Sequence, residues 1–367
     1  MSQQLNRLEG LLKSTSDLAM TVELTARVVI ILARLGRFEE ARFKVRALRE
    51  NYGDWRSGRI HVWIMLSEAI ADWYADLSSQ ALDRVTRVQV LSSAMQYAEM
   101  HAISSAWKAH IQFEISDFDG MLHSIDLAFR SSAGENAEAN ARLAIVLCNA
   151  SALCGDWASA QSWFAKGRDF SLAEGDQASV EALQHNRAVL TLTCARAEAC
   201  ISPIEAERIK TVRREMDSSR NLQLLTRISA LANHRHLAEA RLLILEGRFE
   251  DAVVALASVR NEAPFASYHF SQFEIDLEIA YCKFRLNLVE DALSLFLKID
   301  IRSIADLDVD DQLSASNMCL EMARLDPRFG DPTEISLRKE ELALAYAKAK
   351  IDLAAGLRRL RDDHELV

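Results

Sequence analysis

The chain has 367 residues, 50% hydrophobic and 26% charged, with a formal net charge of −10. Its 12 glycines and 4 prolines are about a third of the combined share, roughly 12%, usual in soluble proteins. That is too few to punctuate many hairpins, which speaks against an all-β protein and against a glycine-rich nucleotide-binding α/β fold, while the acidity opposes nucleic-acid binding.

The first twenty residues, MSQQLNRLEGLLKSTSDLAM, lack the basic start and apolar core of a secretory leader. The longest apolar run, Val28 to Ala33, falls far short of the roughly 20 residues that cross a bilayer. Six cysteines without a CxxC pair fit a reducing compartment. Together these features predict a soluble, cytoplasmic protein with no membrane insertion.

Five segments then repeat one pattern: LARLGRFEEARFKV, FEISDFDGMLHSI, ALCGDWASAQSWF, ILEGRFEDAVVAL and FRLNLVEDALSLF. Each ends a helix at a pivot (Gly36, Ser116, Gly155, Gly247, Asn287). An aromatic or apolar residue follows two later (Phe38, Phe118, Trp157, Phe249, Val289) and a compact one five later (Ala41, Met121, Ala160, Ala252, Ala292). Pivot spacings of 80, 39, 92 and 40 residues leave two gaps twice the short ones. Asp76 with Ala81, and Ile201 with Ala206, fill them as degenerate repeats. Cys148 and Cys154 stand seven and one before pivot 155, as Cys194 and Cys200 do before 201, which supports the second assignment. The pattern predicts about seven helical hairpins, with a left-handed pivot and close helix approach at the small residue.

With a small residue seven before the pivot (Ala109, Cys148, Ala240, Ala280) and an apolar one nine after it (Val45, Ile125, Phe164, Leu256, Phe296), the chain resembles the tetratricopeptide repeat (TPR) family over most of residues 15–300. Its period is longer than that family's 34, and its terminal proline is mostly missing, Pro264 being the exception. The resemblance implies an all-α fold, an α-solenoid of about seven TPR-like hairpins. It also implies that the first helix of each hairpin lines a concave groove. Counting back from the pivots, this places there Glu23, Arg34, His110, Glu114, Arg142, Asn149, His234, Arg241, Glu274, Tyr281, Phe284 and Arg285. Arg142 and Asn149 are of the type that clamps a peptide carboxylate or backbone, through paired donors.

All six tryptophans lie before residue 164 and all four prolines after 200. This suggests hairpins in 1–200, further hairpins in 201–330 and a separate terminus in 331–367. Ser202-Pro203-Ile204-Glu205 reads as a capping box with proline at the first helical position. Asp331-Pro332-Thr333-Glu334 starts a last helix reaching about Leu360, with Ile335, Leu342, Tyr346, Ala349, Leu353, Leu357 and Leu360 on one stripe. That helix caps the last hairpin or serves self-association.

Catalytic signatures are missing: there is no Walker loop, GxSxG elbow or HExxH. Ser336 and Lys339 have S-x-x-K spacing without its companion motifs. Asp306, Asp308 and Asp310 copy three calcium-loop positions, but Asp311 and Asn317 replace the required Gly and Glu, so the segment reads as a half-buried connector with solvated acids. His234 and His236 flank Arg235 at a helix start and do not share a face. We therefore expect no enzyme, cofactor or metal, but a scaffold or adaptor that binds a partner protein or peptide. Homo-oligomerisation through the last helix is a further expectation, and a ligand-sensing regulator is the alternative.

Overall fold

The computed structural model describes residues 2–131, 136–230, 232–261 and 272–365, and all regular structure in them is helical. A leading helix, α1 (Gln3–Ser14), is followed by α2 (Leu18–Arg34), α3 (Phe38–Tyr52), α4 (Gly58–Asp76), α5 (Gln80–Ala94), α6 (Ala98–Glu114) and α7 (Phe118–Arg130). Next come α8 (Ala137–Cys154), α9 (Trp157–Glu174), α10 (Gln177–Ile201), α11 (Ala206–Thr226), α12 (Ala232–Leu245) and α13 (Phe249–Asn261). The chain ends with α14 (Gln272–Arg285), α15 (Val289–Phe296), α16 (Val309–Leu325) and α17 (Pro332–His364). Successive helices pack on one another, most closely within α2–α3, α4–α5, α6–α7, α8–α9, α10–α11, α12–α13 and α14–α15 and between neighbouring pairs. No helix of the described residues is long and apolar enough to cross a membrane.

The turns explain the periodicity. Gly36, Ser116, Gly155, Gly247 and Asn287 have φ of +81°, +59°, +83°, +75° and +62°. At each, the pivot N–H donates to the carbonyl three residues back and the next N–H to the one five back, as in Gly155 to Ala152 and Asp156 to Ser151. This double bond satisfies two carbonyls that the ending helix leaves orphaned. The same geometry recurs at Gln96 and Gly175, which join one pair to the next. Phe38, Phe118, Trp157, Phe249 and Val289 each begin the following helix. Ala41, Met121, Ala160, Ala252 and Ala292 are all buried where the two helices close on each other.

Both degenerate pivots differ from expectation. The left-handed residue of the α4–α5 turn is Leu77, φ +46°, one past Asp76, and Ala81 is buried as expected. After α10 no such turn forms. Ser202 is extended, φ −149°, because the ring of Pro203 disfavours helical geometry in the residue before it. The capping box does not form either: Glu205 is the N-cap of α11, and Ala206 is exposed rather than wedged between helices. Pro264 lies outside the described residues.

The largest core cluster runs through α1–α8 and includes the fully buried Trp63 and Trp107. Smaller clusters continue it through α10–α16. The chain curls back on itself. Gln4 N–H donates to the Gly175 carbonyl at 3.3 Å, Gly36 abuts Ser229 and Ala230, and Ser116 donates to Asp308 at 2.9 Å.

Helix α17 is longer than the pattern foretold. Asp331 caps it by accepting from Thr333 N–H, with Pro332 in the first turn. Leu342 and Tyr346 pack against Ala197 and Cys200 of α10 and Leu313 of α16. Leu353 and Leu360 join the large core, and Gly356 lies against Leu122 of α7. It therefore straps several helix pairs rather than covering only the last one.

Two glycines with similar φ separate strain from space. At Gly247 nothing lies within 4 Å of an added Cβ, so Gly247→Ala should cost only the left-handed strain, ~1 kcal/mol. At Gly36 that Cβ would sit 2.5 Å from Ser229 Oγ and 2.7 Å from the Ala230 backbone nitrogen. Urea unfolding should show Gly36→Ala losing at least ~1 kcal/mol more than Gly247→Ala.

Candidate functional site

The helices that begin each pair carry arginines on faces that the curl buries, and burial forces each charge to find a partner. Arg34, at the end of α2, places Nη2 2.8 and 2.9 Å from the two carboxylate oxygens of Asp176, 142 residues away at the N-cap of α10. Asp176 also accepts from Ser179 N–H. The Arg34 guanidinium, acting against burial, holds the Asp176 carboxyl below its ordinary range. Arg7 of α1 pairs with Glu174 beside it.

Close by, Arg142 of α8 lies flat on the indole of Trp107, 3.7 Å from guanidinium carbon to ring centroid. It is 4% exposed. His110 stands edge-on to the same indole at 5.7 Å and is kept neutral by burial and by Arg142 and Arg34. Glu114, one helical turn on, is reached by water but enclosed by the curl. That enclosure and the charge of Asp308 push its carboxyl up to about 7. Glu23 is half-buried and pairs with Arg27 at 3.2 Å, and Arg27 also holds Glu99 and Glu138. A cavity of about 190 Å³ lies among Arg27, Arg34, Trp107 and Arg142.

A second polar junction joins α10, α12, α14 and α16. Arg241 donates to Glu278 and Glu274, both at 2.9 Å, and stands 3.4 Å from Asp311. Arg196 adds bonds to Glu278 and Asp311 at 3.0 and 3.1 Å. Three carboxylates share two guanidiniums, so one carboxyl is poorly neutralised. Burial raises Glu274 to about 7, while the two arginines, overcoming burial, lower Asp311. Asp310 is raised to about 7 by burial and by Asp311 and Asp308.

The remaining residues of the expected groove do not converge. Tyr281 donates to Glu321 and accepts from Arg285, both at 2.7 Å, and Arg285 also covers Phe249. Phe284 is core, packed on Phe329 at 5.3 Å, and Asn149 is 1% exposed. His234 faces His185 ring-to-edge at 6.4 Å, with Arg235 bound to buried Glu181 at 2.6 Å. The twelve residues thus separate into two that line the cavity (Arg34, Arg142), three outside its lining that feel or pair with its arginines (Glu23, His110, Glu114), a junction pair (Arg241, Glu274), an α14–α16 contact (Tyr281, Arg285) and packing residues. The sequence reading missed Asp176, Trp107, Arg196 and Glu278, and named Asp311 only as a departure from a calcium loop. Of these, Asp176 alone left a trace, the Asp-x-x-Ser of a helix cap. Asp311 is drawn into the ion network, and Asp310 lies half-buried beside it rather than being merely solvated. Among the described residues no group of three or more metal-ligating side chains gathers. No family model and no curated protein matches the chain.

The acid excess at the second junction makes a pH prediction. A carboxyl whose folded pKa is raised lends stability below its ordinary value and loses it as pH climbs through about 7. Asp310→Asn cannot ionise. Its advantage over wild type should therefore be ~1 kcal/mol larger at pH 8 than at pH 5, allowing for solvent at this half-buried site. His110, His185 and His234, buried and neutral, impose the opposite slope, but equally in both proteins. Urea melts at the two pH values measure the difference, and equal gaps at both would exclude this origin.

Proposed function

We propose that the chain is a non-enzymatic interaction protein: a TPR-like α-solenoid of about seven hairpins whose concave surface holds a peptide or helix of a partner. The observation that carries this reading is the convergence of Arg34, His110 and Arg142, from three different hairpins: Arg34 and Arg142 line one cavity, and the charges of both act on His110. Repeats that contact mainly their neighbours build one continuous inner face, and charged groups on such a face select a partner by complementarity. The recurring turn geometry and the buried small residues five past each pivot support the family likeness. In this reading the protein is a scaffold or adaptor.

A ligand-sensing regulator is the second reading. It is favoured by the polar latches between distant segments, Arg34 with Asp176 and Arg7 with Glu174, which opening of the curl would have to break. A partner that engages only the open or only the closed form would shift that balance.

Affinity purification from the protein's own cells tests the first reading. Glu114 is exposed and makes no ion pair among the described residues, so Glu114→Lys should leave folding intact and weaken capture of a concave-face partner by ~10-fold or more. Ile351→Asp alters the exposed face of α17 instead. A stoichiometric partner lost with Ile351→Asp and kept with Glu114→Lys would move the interface to α17. Absence of any stoichiometric partner would count against the reading.

A further inference from the structure

The cavity beside Arg142 holds an imbalance that the surrounding residues do not correct. Four arginines line it: Arg7, Arg27, Arg34 and Arg142. Its three carboxylates are already engaged, Glu174 by Arg7, Glu138 by Arg27 and Asp176 by Arg34. Arg142 has no ion pair among the described residues; it meets the Trp107 π-face and the Tyr74 hydroxyl, and feels Asp176, already bound by Arg34, from further off. Glu114 feels its charge without reaching it. A guanidinium cannot solve the problem by losing its proton, whereas a buried carboxyl can.

Other polar atoms at the same place are also unmet. Trp107 Nε1, a donor, is buried without a hydrogen-bond partner; His110 Nδ1, beyond the lining, is likewise unmet, and so is Gln4 Oε1, an acceptor that a carboxylate would not satisfy. Trp107 and Gln4 line the cavity with Arg142, and so do Asn136 and Ala137 at the start of α8, where the helix dipole favours negative charge. Arg7 and Glu174 are each at least one-third exposed, so the cavity reaches solvent on their side. The Arg27 end carries Glu23, Glu99 and Glu138 and is unsuited to an anion, which confines the site to the Arg142 end.

We propose that this cavity is a binding site for a single carboxylate, held by the fork of Arg142 while Trp107 covers one face of the guanidinium. At the Arg142 end one guanidinium lacks a carboxylate of its own, which matches one negative charge. A phosphate dianion would meet Asp176 and Glu138 with a charge left over. The cavity suits a small acid or the end of a chain, being well below the 300 Å³ or more of sites for drug-sized ligands. The site stands whether or not a protein partner occupies the concave surface, and no step of its test involves one.

The full-length protein is titrated calorimetrically, and melted, with acetate, N-acetylglycine, N-acetylglycinamide and inorganic phosphate, each against sodium chloride of equal ionic strength. The two carboxylates should bind saturably at one site and raise Tm; the amide should do neither. Equal affinity for acetate and N-acetylglycine would identify a free small acid, and tighter N-acetylglycine a chain end. Arg142→Met should melt higher than wild type without ligand, because an unpaired buried charge is gone, and should not respond to either acid. Arg142→Lys keeps the charge but not the fork and should bind ~10-fold more weakly. The proposal is overturned by an absence of saturable carboxylate binding, by phosphate binding more tightly than acetate, or by undiminished binding in Arg142→Met. An Arg142→Met chain that melts below wild type would overturn it too, marking the arginine as a structural prop.

Discussion

A buried guanidinium is costly unless a carboxylate meets it, and for three buried arginines of this protein that carboxylate comes from a different helix pair. Arg34 of α2 finds Asp176 at the head of α10, Arg235 of α12 finds Glu181 of α10, and Arg241 of α12 finds Glu274 and Glu278 of α14 and Asp311 of α16. Such pairs give little net stability, since the desolvation of both charges roughly cancels their attraction. Their effect is to make every other arrangement worse. If the curl opened there, Arg34 and Asp176 would lose each other as partners. Stacked helices that touch mainly their neighbours leave pitch and closure weakly determined, and the ion pairs, with the packing of α17, constrain both.

That division explains what could be read from the residues. The left-handed pivots at Gly36, Ser116, Gly155, Gly247 and Asn287 are local: one residue, two hydrogen bonds, one small side chain five later. Their chemistry is written in the same dozen residues that adopt the geometry. Ile201 failed as a pivot because one neighbour, Pro203, overrides the periodicity by forcing Ser202 into an extended conformation. The start of α17 was equally legible, since Asp331 and Pro332 act on the first turn alone.

The pairing of Arg34 with Asp176 had no such trace. Nothing in a repeat period says after how many units the curl brings its beginning against a later turn, so a carboxylate 142 residues away cannot be inferred from spacing. For the same reason, counting back from the pivots put Phe284 and Asn149 with Arg142, although the first two pack inward. A family register identifies which helix face points inward. It does not say which of those positions remain uncovered once α16 and α17 have folded back.

The two inner polar sites have opposite imbalances, with different physical consequences. Around Arg241 and Arg196 the acids are in excess, and a proton resolves it: Glu274, raised to about 7, can stay neutral at little cost. Around Arg142 the base is in excess, and no proton exchange helps, because a guanidinium keeps its charge throughout the accessible pH range. Cation–π contact with Trp107 offsets part of the cost, of order 2 kcal/mol for a desolvated pair, against a burial penalty of several. The remainder persists unless an anion arrives from outside. Among the described residues, Arg34, Arg235 and Arg241 are each buried against a carboxylate, and Arg142, which is not, lines a cavity open to solvent where an external group can reach it.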